Sequence, residues 1–437
     1  MPRSAPLIAC LLGLLLLAAP AHAASAPPWG TGESHGEDLA VSLVTFSPGD
    51  DVASWWGHGS LVVEDRRLGS ARLYNYGMFS FDSAMLRRYV MGRLEFWVAE
   101  ASPTATYRFY RSMDRDVRIQ ELNLTPAQRV EVGKLLADNV LPENRNYLYH
   151  HYNDNCVTRL RDMIDKAVGG QLKQADAAPA RMTLREHTRR YTAVSPPMSV
   201  LLDFLMNDEI DRPITHWEEA FLPDELERQV ASLQVTMPDG QKAPLVAKAW
   251  DFYKSDRTPP PEQPPRYGPW MLLIGLAVGA SALGLAYWGR AGGRLPRVLL
   301  GLEQMVLGLA LGFPGTVLFI MWTVTDHTVS YRNENILLAN PLTLLVVPLG
   351  LMFAWGSARA RSWLRTLWLA MAGLGMLGLV LKVLPVFNQD NWRLIALILP
   401  ISVGFAGALN LDRLLARLRA GGREPGQQPL PSSLKTP

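Results

Sequence analysis

Two rhythms of apolar and polar residues run along the chain. Between about residues 40 and 257, apolar positions come in short runs separated by turn-forming residues. Residues 41–46 read as a strand. Residues 60–64 and 72–76 read as a hairpin pair about Arg67-Leu68-Gly69, and 95–100 and 117–124 alternate like further strands. Residues 81–91 have helical spacing, with Asp82 near the start. Thr125-Pro126 opens a helix to about Asn139, because Thr caps well and Pro suits a first turn. Val157, Leu160, Ile164 and Val168 place an apolar stripe on a helix over 156–168, stopped by Gly169-Gly170. Helices are also expected at 183–191, 200–206 and 224–233. The first half is therefore expected to be α+β.

The second rhythm consists of five long apolar blocks, at 270–288, 298–322, 336–355, 363–384 and 394–411. Each approaches the roughly 20 residues that cross a hydrocarbon layer as a helix. The third is interrupted by Asn340-Pro341. A Pro-rich linker, 258–269, separates the two rhythms. Arg290, Arg294 and Arg297 fall between blocks one and two, and Arg359, Arg361 and Arg365 between three and four. Arg413, Arg417, Arg419 and Arg423 follow block five, whereas the alternate loops hold Arg332 alone. The bias of basic residues toward cytoplasmic loops puts those three regions inside and the first half outside. Glu303 and Lys382 are ionisable groups within the blocks, and both are read as reaching toward an interface.

Charge sharpens the division. Residues 24–268 carry 34 acidic and 28 basic side chains, whereas 269–411 carry 4 and 9. The net +3 of the 437-residue chain is thus an average of an acidic half and a basic one, and no nucleic-acid footprint remains. Arg3, the apolar stretch 7–18 and Ala21-His22-Ala23 read as a secretory leader over 1–23. Removing it takes away Cys10 and leaves Cys156 as the one thiol of an exported chain, unable to form an internal disulfide.

That thiol lies in Asn153-Asp154-Asn155-Cys156-Val157-Thr158-Arg159, at a predicted helix start. The helix dipole and unpaired amide hydrogens there favour the thiolate, the nucleophilic form. A nucleophilic Cys needs an imidazole base. His58, in Trp55-Trp56-Gly57-His58-Gly59-Ser60 before an apolar strand, is the strongest candidate, since the flanking glycines permit close approach of another element. The base in turn needs an orienting polar group, which the run Tyr74-Asn75-Tyr76-Gly77 supplies as either Asn75 or the Tyr pair. His150 and His151 precede Cys156 in a spacing that matches no standard zinc pattern, so no metal or other cofactor is expected.

A His on a strand followed about a hundred residues later by Asn-Cys at a helix start resembles the circularly permuted papain-like (NlpC-type) arrangement. The first half more closely resembles the Lnb N-terminal periplasmic domain family. The matching pieces are Gly57-His58-Gly59-Ser60, Tyr74-Asn75-Tyr76-Gly77, Leu122-Asn123-Leu124-Thr125, Pro142-Glu143-Asn144-Arg145-Asn146-Tyr147 and Asp154-Asn155-Cys156-Val157-Thr158-Arg159-Leu160-Arg161-Asp162. They span about residues 40–170. The second half is similar to the same family through His327, Asn335 and Asn340-Pro341.

The resemblance implies a papain-like periplasmic domain over 24–257, a five-helix transmembrane bundle over 270–411 and a cytoplasmic tail over 412–437, in a bacterial inner membrane. It implies a cysteine acyltransferase in which His58 activates Cys156, with Asn155 and Asn75 assisting. An acyl chain would pass from a phospholipid to the N-terminal amine of a lipoprotein through a Cys thioester. Arg159, Tyr76, His327 and Asn335 would contact substrate. Two other classes share parts of this pattern. A periplasmic cysteine peptidase or amidase would use the same pair with water as acceptor, but needs at most one anchor. A non-catalytic receptor or transporter would tolerate loss of Cys156.

Overall fold

The computed structural model describes residues 26–80 and 83–421. The expected leader with Cys10, the expected helix start at Asp82 and the end of the tail lie outside the described residues. The chain forms two compact units.

The first unit comprises residues 26–80, 95–178 and 216–257. Its centre is a seven-stranded sheet, antiparallel at every pairing. The strands are β1 (Leu39–Phe46), β2 (His58–Asp65), β3 (Ser70–Met78), β4 (Glu95–Ala101), β5 (Val117–Leu122), β6 (Asn146–Leu148) and, past a short β7–β8 hairpin (Gln234–Thr236, Lys242–Pro244), β9 (Val246–Tyr253). Their order is β6-β4-β3-β2-β1-β5-β9. The period-2 pattern of β1 to β3 sends Leu43, Leu61 and Tyr74 to one face, against Leu136, Leu160 and Ile164 of the helices Pro126–Asn139 and Cys156–Ala167. Val44, Val62 and Leu73 pack on the other face with Tyr107 of the helix Pro103–Ser112. That helix is absent from the pattern reading, because its apolar positions are sparse. The Pro126 helix begins with the expected Thr125 cap, closed as a capping box with Gln128.

The second unit comprises residues 83–94, 179–215 and 258–421. Five helices are long and apolar enough to cross a membrane: Gly268–Gly289, Arg294–Val324, Glu334–Ala354, Ala358–Leu381 and Trp392–Arg417. The third is broken, as its Asn340-Pro341 foretells. Two 3-10 turns, Glu334–Leu337 and Pro341–Leu345, precede an α-helical Val346–Ala354, and Asn340 caps the break. The first and fifth helices cross with backbones in contact. A Cβ on Gly279 would stand 2.6 Å from the Pro400 carbonyl oxygen, so glycine sets this separation.

Neither unit is contiguous in sequence. Residues 83–94 and 179–215 belong with the membrane helices. Phe204 of the helix Pro196–Leu205 is buried among Leu318, Leu338, Leu394 and Ile398. The backbone at Gly92 lies against Asp326 and His327, and Arg93 pairs with Asp326 at 2.7 Å. Lys382 pairs with Glu334 and donates to the Gln389 carbonyl, so it is a buried ion-pair member in place of a snorkelling side chain. Glu303 accepts a hydrogen bond from Ser281.

Candidate active site

Cys156 is the first residue of its helix, and Asn155 is the reason the helix starts there. The Asn155 side chain accepts from the Val157 and Thr158 amides at 2.8 and 2.9 Å, and Thr158 Oγ1 accepts from the Asn155 amide at 2.8 Å. Its amide group donates to the carbonyls of His151 and Phe221. All of its bonding capacity is thereby spent on holding the helix start, which makes Asn155 a positioning residue and not a reacting one.

Glycines bring the helix and the strands together. A Cβ on Gly59 would stand 3.0 Å from Leu160 Cδ1, so only a bare backbone lets the Cys156 helix lie this close to β2. Gly77 has φ +93°, a conformation other residues rarely adopt. Its absent Cβ marks the centre of the site: Cys156 Cβ lies 3.6 Å from that point, and His58 Cε1 and the Tyr147 hydroxyl each lie 4.0 Å from it. The ladder between β2 and β3 begins only at Leu61↔Tyr74. His58–Ser60 therefore stand outside that ladder, and the Gly59 amide lowers the pKa of the Cys156 thiol.

His58 Nε2 lies 2.6 Å from Asn75 Oδ1. Asn75 Nδ2 donates to Met78 Sδ, which orients the oxygen toward the ring. An oxygen accepts, so Nε2 carries the hydrogen and Nδ1 holds the free lone pair. Of the groups that spacing left open, Asn75 is the one at hydrogen-bond distance from the imidazole. Tyr74 and Tyr76 point to the opposite face: the Tyr74 hydroxyl accepts from Trp29 and the Tyr76 hydroxyl from Asn139. Tyr76, expected at the substrate, is a core residue 2% exposed.

Electrostatics departs from the expectation of a resting thiolate. Desolvation pushes the Cys156 thiol up to about 11, although the amides of Gly59, Val157 and Cys156 pull the other way. Desolvation likewise lowers His58 to about 4, against the raising effect of its bond to Asn75. The resting pair is thus a neutral thiol and a neutral imidazole, because desolvation outweighs the amides of the helix terminus, and the buried Arg115 adds to the lowering at His58.

Tyr147, on β6, is a site residue that pattern reading missed. It is buried, and its hydroxyl has no hydrogen-bond partner among the described residues. Burial, and then the neighbouring Cys156, raise its pKa well above the usual phenol value, so the hydroxyl keeps its proton. An unpaired buried hydroxyl loses solvation without compensation, and this one lies 4.0 Å from the same point at Gly77 that Cys156 and His58 border. Only its place in the Asn146-Tyr147 motif could have drawn attention to it. Arg159 lies 4.3 Å over the Tyr147 ring and is held by Asp154 at 2.6 and 2.8 Å. Its charge is thereby paired, and it borders a groove of about 420 Å³ with Asn139 and Lys166.

The remaining candidates lie elsewhere. His150 Nδ1 accepts from the Tyr152 and Asn153 amides and closes a turn. His151 packs among the rings of Trp56, Tyr152 and Phe221. His327 and Asn335 belong to the second unit. His327 Nδ1 lies 2.8 Å from Thr325 Oγ1. Asn335 is fully buried, donates to the carbonyls of Asp203 and Phe204 and accepts from Asn391, so its side chain ties a loop together.

Two family models match the chain. Residues 25–190 match the Lnb N-terminal periplasmic domain, and residues 290–410 match the Lnb transmembrane domain. No curated protein and no solved structure matches it. The matches and the five apolar helices make this a multi-pass membrane protein with an N-terminal periplasmic domain.

Proposed function

The chain belongs to the Lnb family, with its periplasmic and membrane parts both present, and from that premise we propose that it is a lipoprotein-modifying cysteine acyltransferase of the bacterial inner membrane. The observation that carries this reading is the convergence of Cys156, His58 and Asn75 about Gly77, with His58 Nδ1 left as the free lone pair. Imidazole, thiol and an orienting Asn are the parts of papain-like catalysis. Here they sit in a chain whose other half lies in the bilayer, where phospholipid and lipoprotein are both concentrated.

His58 Nδ1 takes the Cys156 proton as sulfur attacks the carbonyl carbon of a phospholipid acyl ester. A neutral resting pair suits this concerted transfer, since no ion pair has to be held in a desolvated site. The Tyr147 hydroxyl and the Cys156 amide donate to the oxyanion. The intermediate collapses, the lysophospholipid oxygen leaves with the proton from His58, and an acyl thioester remains on Cys156. The free α-amine of a lipoprotein's N-terminal cysteine then attacks the thioester. His58 accepts the amine proton and returns it to the departing thiolate, giving an amide and the original enzyme. Asn75 holds the imidazole in the required tautomer. Arg159 supports the Tyr147 ring.

The test is to incubate the purified chain with phospholipid, look by mass spectrometry for a hydroxylamine-sensitive acyl adduct on Cys156, and then add a diacylated lipopeptide with a free amine. Formation of the adduct and its transfer to the amine are expected. No adduct overturns acyl transfer, and an adduct released only to water makes the chain a hydrolase. The arginine-rich loops are proposed to face the cytoplasm. A reporter fused after Gly292 should read as cytoplasmic, and a periplasmic readout reverses the orientation.

A further inference from the structure

One end of the membrane bundle encloses a cavity of about 280 Å³. The first helix ends there, the second begins, the third ends, the fourth begins, and the fifth contributes its Leu409–Arg413 turn. Five arginines line it: Arg290, Arg297, Arg361, Arg365 and Arg413. The sole carboxylate in the lining is Asp412, and Arg290 holds it at 3.1 Å. Among the described residues Arg297 and Arg365 reach backbone carbonyls only, those of Ala354 and Leu409, at 3.4 and 3.3 Å. Arg361 lies over the Phe353 ring at 5.3 Å.

The bias of basic residues to one side of a membrane explains why arginines occur at this end. It does not explain their convergence. Orientation requires only charge in the loops, and here guanidiniums from four helices surround one concavity. Like charges in such a space repel, and an anion that accepts from several of them relieves the repulsion. Arg presents a planar fork suited to phosphate oxygens. The wall also includes Leu285 and Leu300, between membrane helices. A ligand with a charged head and an apolar body matches both surfaces.

We propose that this cavity binds a phosphate-bearing anion, supplied by the headgroup of an anionic phospholipid. Basic pockets between membrane helices recognise such headgroups by the same charge pairing. The site is independent of the acyl-transfer reading, since it requires only the membrane unit.

The full chain is purified into nanodiscs of phosphatidylcholine, with or without phosphatidylglycerol, and retained lipid is read by native mass spectrometry. Melting temperature is followed in parallel, with inorganic phosphate added to the zwitterionic discs as a separate arm. Phosphatidylglycerol is expected to be retained in preference to phosphatidylcholine and to raise the melting temperature, with phosphate alone inactive. The triple variant R361K/R365K/R413K keeps the charge and so the orientation, but loses the forks. It should lower phosphatidylglycerol retention about fivefold. Equal retention of the two lipids by the wild-type chain overturns the proposal, whether or not the variant folds. Unchanged retention in the variant also overturns it. A shift with inorganic phosphate equal to that with phosphatidylglycerol assigns the cavity to the free ion and overturns the lipid source.

Discussion

Arginine gathers at two places in the membrane unit and is used in opposite ways. In the cluster around Asp203, Arg189 bonds both oxygens of that carboxylate at 2.9 and 3.0 Å. Arg189 also pairs with Asp390, and Arg185 pairs with Asp211 and bonds the Asn207 carbonyl. Arg185 is 1% exposed, yet its charge is matched on every side. In the cavity at the other cluster, five guanidiniums face one carboxylate. A cluster whose arginines meet carboxylates holds elements together, whereas one short of carboxylates keeps capacity for a ligand. The same contrast separates Asn155, whose side chain is fully bonded, from the unpartnered Tyr147 hydroxyl beside the thiol.

Several measurements can break or sharpen that contrast. The largest effect is expected at the atoms proposed to react. Cys156→Ala and His58→Ala should each abolish the acyl adduct while leaving the melting temperature within a few degrees, and His187→Ala, in the helix Leu184–Tyr191 of the second unit, should leave the adduct in place. In the cluster around Asp203, Asp203→Ala strands buried arginines. It should destabilise the full chain by about 3–5 kcal/mol, read as a lowered melting temperature in detergent. A neutral result would mean that the pairing there is not structural.

Tyr147→Phe removes one unpaired hydroxyl and no hydrogen bond within the described residues. Adduct formation should slow by about 100-fold with no loss of stability, as for other oxyanion donors. A loss of stability with an unchanged rate would make Tyr147 an ordinary core residue. Asn75→Ala should slow the reaction by about tenfold, because the imidazole loses its preferred tautomer. The pH profile gives the smallest shift. A His58 pKa of about 4 keeps the ring neutral above that value, so the base is present across neutral pH and is lost as pH falls through about 4. Adduct formation should therefore hold up below pH 6.5 and drop near 4. A drop centred at 6.5 would mean an ordinary, solvated histidine.

Local chemistry was legible from residue order alone. The helix at Cys156 is written in its apolar spacing and its Asn155 cap, because caps and amphipathic stripes are properties of neighbouring residues. The five membrane blocks and the break at Asn340-Pro341 follow from length, composition and proline geometry. His58 stood out because glycines flank it at the start of a strand.

What only the tertiary structure decided depends on groups far apart in the chain. Asn75 faces His58, and Tyr74 and Tyr76 do not, because strand pairing fixes which face of β3 meets β2. The thiol is neutral at rest because desolvation, a property of the packed surroundings, outweighs the helix dipole at its own terminus. Tyr147 arrives from the edge strand, and Asp203 meets Asp390's partner Arg189 across the fold. A sequence records which polar groups exist, but only packing determines which are left without a partner, since pairing across such separations is set by the folded backbone.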